Sequence, residues 1–387
     1  MTAAHFRLPA EWEPQAAVLL AWPHSDTDWG PRLLAAESSY VALVTAIARF
    51  ERALVCVPDP AVRERAADLL SSVGADLSRI GFIEIPYDDT WLRDSGPMTL
   101  KSETGHPAAA RTRRVRHMSG LAFDEPDKQQ SDSSSAHPCA ENEEFQFCLA
   151  DFRFTGWGGK FEGSRDDALV AGLLQRDVFH AGTGCARYDW ALEGGAIESD
   201  GRGTILTTWR CLHQRHPEQS REEMSRQLCE SLGARRVLWL DRGYLQGDDT
   251  DAHIDTLARF APDGAIVFQA CDDPADPHFA ELAAMREELA ALRTPEGRPY
   301  TLHALPWAQP IVDEGRRLAA SYANYLIVNG GVLVPAYGDP ADATAARIIA
   351  AAHPGREVVQ IPCRPLIWQN GSLHCVTMQL PEGVVAS

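Results

Sequence analysis

"AAVLLAWP" at 16–23, helical spacing over 32–50 and "RALVCVP" at 52–58 together decide the fold. The first run is almost wholly apolar and closes on Pro23, as a strand buried on both faces does. Residues 32–50 show helical spacing, with Leu33, Leu34, Val41, Leu43, Val44 and Ile47 apolar. A strand, a helix and a second strand in so short a stretch signal an α/β fold. Working outward, a helix is expected from about 60 to 72 and a strand at "GFIEIP" (81–86). The rhythm returns at "SREEMSRQLCESLG" (220–233), where Ser220 is the expected N-cap, Glu223 stands three residues on and Gly233 stops the helix. "RRVLWL" (235–240) follows it. "GAIVFQA" (264–270), "NYLIVNGGVLVPAY" (324–337) and "REVVQIP" (356–362) are further strands, with a helix starting near Asp339-Pro340 before the last. No sequence repeat is visible, although the alternation can conceal a structural one.

Composition limits the function classes. The chain has 387 residues, 45% of them hydrophobic, enough for a sizeable core. Length alone suggests two or three domains. Lys and Arg number 36 against 54 Asp and Glu, a net charge of −18, which argues against nucleic acid because phosphate neutralisation needs a basic face. A cationic small substrate suits this balance. No apolar run approaches the roughly 20 residues of a membrane helix. "MTAAHFRLPAEWEP" lacks the apolar centre of a signal peptide, so a cytoplasmic setting is expected. The nine Cys are scattered and form no C-x-x-C pair, which excludes a zinc ribbon and a disulfide framework. Residues 101–146, rich in Ser, Asp, Gln and Pro, read as a long surface loop carrying the basic residues Arg111, Arg113, Arg114 and Arg116.

Four segments join Gly to ionisable residues beside strands. "WLRDSGP" (91–97) sets Asp94 before a turn. In "WALEGGAIESDGRGTILTT" (190–208), Glu193 precedes Gly194-Gly195, where backbone and ligand can approach closely, and "SDGRG" reads as a hairpin turn. "GDDTDAHID" (247–255) packs four Asp and a His together. On a strand, Asp251, His253 and Asp255 would share one face, and a divalent metal competes there with a single organic ligand. "WQNGSLHCVTMQ" (368–379) places Cys375 after a Gly-containing turn, as the opening of a strand. A Cys nucleophile needs thiolate character and a partner acid/base, for which His is the usual choice. Several carboxylates around a thiol would raise its pKa, so they make sense only if the substrate is a cation. A guanidinium is planar and presents its N–H donors in a fork that carboxylates accept bidentately.

These segments resemble the agmatine deiminase family, also described as bacterial-type peptidylarginine deiminase. The likeness runs from about 9 to 381 and rests on "LPAEWEPQAAVLLAWPH" (8–24), "WLRDSGP" (91–97), "GWGGKF" (156–161), "LEGG" (192–195), "GDDTDAHID" (247–255), "LAASYANYLIVNGGVLVPAYGDP" (318–340) and "LHCVT" (373–377). The resemblance implies the pentein fold: one domain over 1–387, a five-bladed α/β propeller of ββαβ units around a central site. It implies Cys375 as nucleophile, His253 as general acid/base, Glu193 as the carboxylate assisting His253, and Asp94 and Asp255 as the pair clamping the guanidinium. Trp91 would line the alkyl chain. The implied reaction is hydrolysis of agmatine to N-carbamoylputrescine and ammonia, with another guanidine such as free or peptidyl arginine as the alternative. It uses no metal or cofactor, and a homodimer is compatible with it. A metal-dependent hydrolase built on the Asp/His cluster is the distant rival. Three departures from the family pattern stand out. Gln369, Asn370, Gly371 and Ser372 replace a run of Gly, Ala252 replaces Gly, and the 101–146 segment is long.

Overall fold

The computed structural model describes residues 5–103 and 145–386. Most of the expected loop, with its four Arg, lies outside them. The architecture is mixed α/β, and most strands fall where the apolar runs place them. Gln15–Ala21, Arg52–Val57 and Ile80–Glu84 form parallel neighbours, joined through the helices Leu33–Phe50 and Pro60–Ser72. Pro60 opens the second helix with its φ already set, and Asp59 caps it by accepting from the Val62 N–H. The capping box of Ser220 and Glu223 forms as read, and Gly233 ends that helix at φ +64°. There a Cβ would stand 1.8 Å from the Phe6 carbonyl oxygen, so only Gly fits.

The repeat that the sequence conceals is plain in the strand pairing. Five sheets share one pattern, an antiparallel pair followed by a parallel pair whose two strands are joined through helix. They are built on Met98–Ser102, Phe147–Arg153 and Thr183–Ala191; on Ile197–Ser199, Thr204–Thr208 and Arg236–Leu240; on Ala258–Ala261, Ala265–Gln269 and Thr301–Leu305; on Leu326–Val328, Gly331–Ala336 and Glu357–Pro362; and on Thr377–Pro381, Gln15–Ala21 and Arg52–Val57. The last unit takes its first strand from the C-terminal end of the chain, so the segment around Cys375 returns beside the N-terminal strand.

Several expectations are corrected. The 324–337 run is a hairpin of two strands, because Asn329-Gly330 turns the chain with Gly330 at φ +74°. Residues 247–255 are not a strand: Asp251 and Ala252 both take positive φ, which breaks the alternation, and Ile254–Thr256 is a 3-10 turn. Cys375 precedes its strand rather than opening it. The helix Phe279–Ala291 was not expected from the sequence. Gly30–Phe50 is, by length and composition, apolar enough to cross a membrane, contrary to the run-length reading. Here its Tyr40, Leu43, Val44 and Ile47 are fully buried in the main core, and the helix packs against the strands Arg52–Val57, Gly331–Ala336 and Glu357–Pro362. Among the described residues, seven cysteines are free thiols and Cys148 is disulfide-bonded.

Candidate active site

Each of the five units sends residues inward from the same place, the segment just before its first strand. Asp94 lies on the short helix Leu92–Ser95 ahead of Met98–Ser102. Glu193 immediately precedes the 3-10 turn Gly194–Ala196, ahead of Ile197–Ser199. His253 and Asp255 precede Ala258–Ala261, Asn324 precedes Leu326–Val328, and Cys375 precedes Thr377–Pro381. The structure therefore brings together all five chemical residues singled out by sequence, drawn from four units. The fifth unit supplies Asn324, which sequence reasoning missed although it lies inside a quoted motif. None of the five is more than 4% exposed.

His253 sits between carboxylates. Its Nδ1 is 3.6 Å from Asp94 Oδ1 and its Nε2 is 3.6 Å from Glu193 Oε2. Neither ring nitrogen has a hydrogen-bond partner, nor has Glu193 Oε2 or Asp255 Oδ1. Four orphaned polar atoms in one buried place are costly unless something arrives to pair with them. Gly195 leaves them room. An added Cβ there would stand 2.6 Å from His253 Nδ1, 2.8 Å from Asp94 Oδ1 and 3.2 Å from Asp255 Oδ2.

The remaining atoms are held firmly. Asp94 accepts from the Gly195 N–H at 3.0 Å and from Trp157 Nε1 at 2.9 Å. Asp255 Oδ2 is 2.7 Å from His374 Nδ1, and His374 Nε2 is 2.7 Å from Glu11 Oε1. Asn324 Nδ2 donates to Cys375 Sγ at 3.1 Å, while its Oδ1 accepts from the His374 and Cys375 N–H groups. Arg215, likewise unrecognised from sequence, has a fully buried side chain that donates to Glu193 Oε1 and Asp251 Oδ2, each at 2.7 Å. Trp91 is 7% exposed and packs against Trp29 and Gly371, where a Cβ would meet its ring at 2.1 Å.

Charge follows from this packing. Burial pushes Asp94 up to about 6; His253 opposes the rise, and Asp255 and Glu193 add to it. Burial acts the same way on Glu193 and Asp255, but His253 and Arg215 hold the first below its usual range, and His374 and His253 the second. Burial opposes a charge on His253, yet Asp94, Cys211 and Glu193 outweigh it and raise its pKa well above the ordinary value. Burial, then Asp255 and Asp94, push the Cys375 thiol well above its usual range. Without a ligand, the site therefore holds a protonated thiol beside an imidazolium and a ring of carboxylates.

The Asp-rich loop does not converge on His253 as a metal cage. Asp248 accepts from the Thr250 and Ala252 N–H groups, Asp249 from Asn370 Nδ2, and Asp251 from Lys160 and Arg215. These acids shape the loop and anchor it. Ala252 occupies the left-handed region at φ +73°, and Asn370 at φ +77°, which accounts for Gly at these places in the family pattern.

Fold and site together define a class: α/β enzymes that draw a cation into a buried carboxylate ring beside a thiol. Within that class, the chain belongs to the Porphyromonas-type peptidyl-arginine deiminase family, whose model matches residues 7–381. The agmatine deiminase of Pseudomonas putida is 33% identical over 98% of this chain and 96% of its own length. A Porphyromonas gingivalis structure described as a proposed arginine deiminase is 40% identical, with a TM-score of 0.82, covering 98% of this chain and 100% of that one. An agmatine deiminase of C. jejuni solved with substrate bound is 28% identical, with a TM-score of 0.80, covering 99% and 98%.

Proposed function

We propose that this chain is an agmatine deiminase, hydrolysing agmatine to N-carbamoylputrescine and ammonia through a covalent intermediate on Cys375. The observation that carries the reading is the group of buried, unpartnered acceptors and imidazole nitrogens around Gly195, beside a thiol whose proton is held on by burial and, after it, by the charge of Asp255 and Asp94. A guanidinium docked between Asp94 and Asp255 offsets those charges, so the thiol can ionise when substrate is present. The thiolate attacks the guanidino carbon. His253 gives its proton to the departing amine, the C–N bond breaks, and ammonia and an S-alkylthiouronium result. Neutral His253 then takes a proton from water and the hydroxide attacks the same carbon; the C–S bond breaks as the adduct's hydroxyl proton passes to solvent, and the ureido product leaves with Cys375 again a thiolate. Glu193, fixed by Arg215, holds the imidazolium; Asn324 positions Cys375; Trp91 flanks the alkyl chain.

On the same reading the five units are blades of one closed pentein propeller, a single domain spanning 1–387, supported by the fivefold recurrence of one strand pairing and by inward residues at one place in each unit. Cytoplasmic work on a small guanidine, without a metal or cofactor, belongs with it. A second reading, free or peptidyl arginine as substrate, is favoured by the family description and by the 40% identical P. gingivalis protein. Ammonia release from agmatine and from arginine separates the two, and a large preference for arginine overturns the first. Intact-protein mass after acid quench of a reaction with agmatine tests the covalent step. An adduct mapping to Cys375 is expected, and its absence from trapped turnover mixtures removes the intermediate.

A further inference from the structure

Cys211 has no part in the reaction just described, yet it lies beside Glu193 and His253. It sits on the helix Trp209–Arg215, where Thr208 Oγ1 accepts its N–H at 3.4 Å, and the same helix carries Arg215. Its sulfur, one oxygen of Glu193 and one nitrogen of His253 all lie within 4.8 Å of one another, and all three residues are buried. Arg215 occupies only Oε1 of Glu193, so Oε2 has no partner, and both nitrogens of His253 are likewise unpaired. We propose that Glu193, Cys211 and His253 form an inhibitory site for a borderline-soft divalent cation such as Zn2+, resting on the deiminase reading above for its effect on turnover.

The donor set is mixed carboxylate, imidazole and thiolate, which suits zinc rather than magnesium or calcium. Two nitrogen or oxygen donors of a tetrahedral zinc ion stand roughly 3.4 Å apart at ordinary bond lengths. Glu193 Oε2 and His253 Nε2 are 3.6 Å apart without rearrangement. Asp94 and Asp255 add negative charge beside this set, that of Asp255 offset in part by His374 and Arg259, so a dication is drawn to the same place as a substrate cation. Coordination displaces the protons of Cys211 and His253, which leave to solvent, and no bond to carbon changes. A bound ion takes the imidazole lone pair that receives the proton from water, and it occupies the carboxylate oxygen that holds the imidazolium. Metal here turns the enzyme off, whereas the metal-dependent rival requires metal to turn it on.

The test uses the full chain and Zn2+ as probe, with equilibrium dialysis, zinc-edge X-ray absorption and steady-state inhibition. Wild type is expected to bind one tightly held Zn2+ with one sulfur in its shell and to lose turnover as the ion binds. Cys211→Ala and Cys211→Ser are expected to lose that sulfur and to need at least roughly tenfold more Zn2+ for half-inhibition, as loss of a zinc-shell partner does. Cys375→Ala is expected to keep both ion and sulfur. Sulfur retained in both Cys211 variants but lost in Cys375→Ala places the ion on the nucleophile and overturns the proposal, as does no stoichiometric binding by wild type. Dialysis and absorption need no turnover, so they decide the site even if the deiminase reading fails.

Discussion

Gly195→Ala is the sharpest single perturbation of this site. Gly195 is absent from the positive-φ positions, so its backbone accepts Ala, and any effect comes from the methyl alone. That carbon would stand 2.6 Å from His253 Nδ1 and 2.8 Å from Asp94 Oδ1, where ordinary contact begins near 3.4 Å. The imidazole or the carboxylate must therefore recede by about 0.8 Å, and a misplacement of about 1 Å costs on the order of 10²-fold in rate. Neither group has free space to retreat into: Asp94 is held by Trp157 Nε1 and the Gly195 N–H, and His253 is closed in by Glu193. Overpacking a core in this way also costs about 1–3 kcal/mol of stability. Gly331→Ala is the control, since its Cβ would be equally crowded, 2.8 Å from the Phe50 ring, in another part of the fold. Ammonia release from agmatine and chemical denaturation are measured for both. Gly195→Ala is expected to lose about 10²-fold in kcat/KM, and Gly331→Ala to lose stability while keeping its activity. A Gly195→Ala enzyme within about threefold of wild type refutes the claim that the reacting group lies between His253, Asp94 and Asp255.

Other consequences are as direct. Cys375→Ser is expected to abolish steady-state turnover while substrate still binds by calorimetry, because the serine hydroxyl is far harder to ionise than a thiol; measurable turnover removes the thiolate route. Asp94, raised to about 6, must be ionised to hold a guanidinium, so kcat/KM is expected to fall as pH drops through that region. Asp94→Asn should lower kcat/KM throughout and erase that acid limb, as a pH–rate series reads directly. Arg215→Met leaves Glu193 and Asp251 without their buried partner, and about 3–5 kcal/mol of stability is expected to go with the broken pairs. Unchanged denaturation midpoints would show that Arg215 does not anchor the loop.

Ala252 lies on the boundary between what is local and what is not. Its departure from the family's Gly was visible in sequence, yet its left-handed backbone was not, and that backbone turns Asp251 outward to Lys160 and Arg215. Strand alternation had placed Asp251 on the same face as His253 and Asp255. The period-2 rule fails there because its premise, a strand, fails.

By itself the sequence determined the alternation of strand and helix and the cap at Ser220, and its likeness to a family singled out five candidate side chains for the chemistry. The first two follow from short-range physics, apolar periodicity and hydrogen bonds to a helix end, and the third from motifs whose resemblance to the family is local in sequence. Only the tertiary structure decided that five units repeat one strand pairing, and that each sends residues inward from just before its first strand. It alone placed Asn324 on the Cys375 sulfur, Arg215 behind Glu193, and Cys211 beside His253. Those contacts join segments far apart along the chain, and their energies depend on burial and on the charges that meet there, which no local pattern records. Asp94 is an ordinary acid in sequence; burial, opposed by His253 and aided by Asp255 and Glu193, pushes it up to about 6.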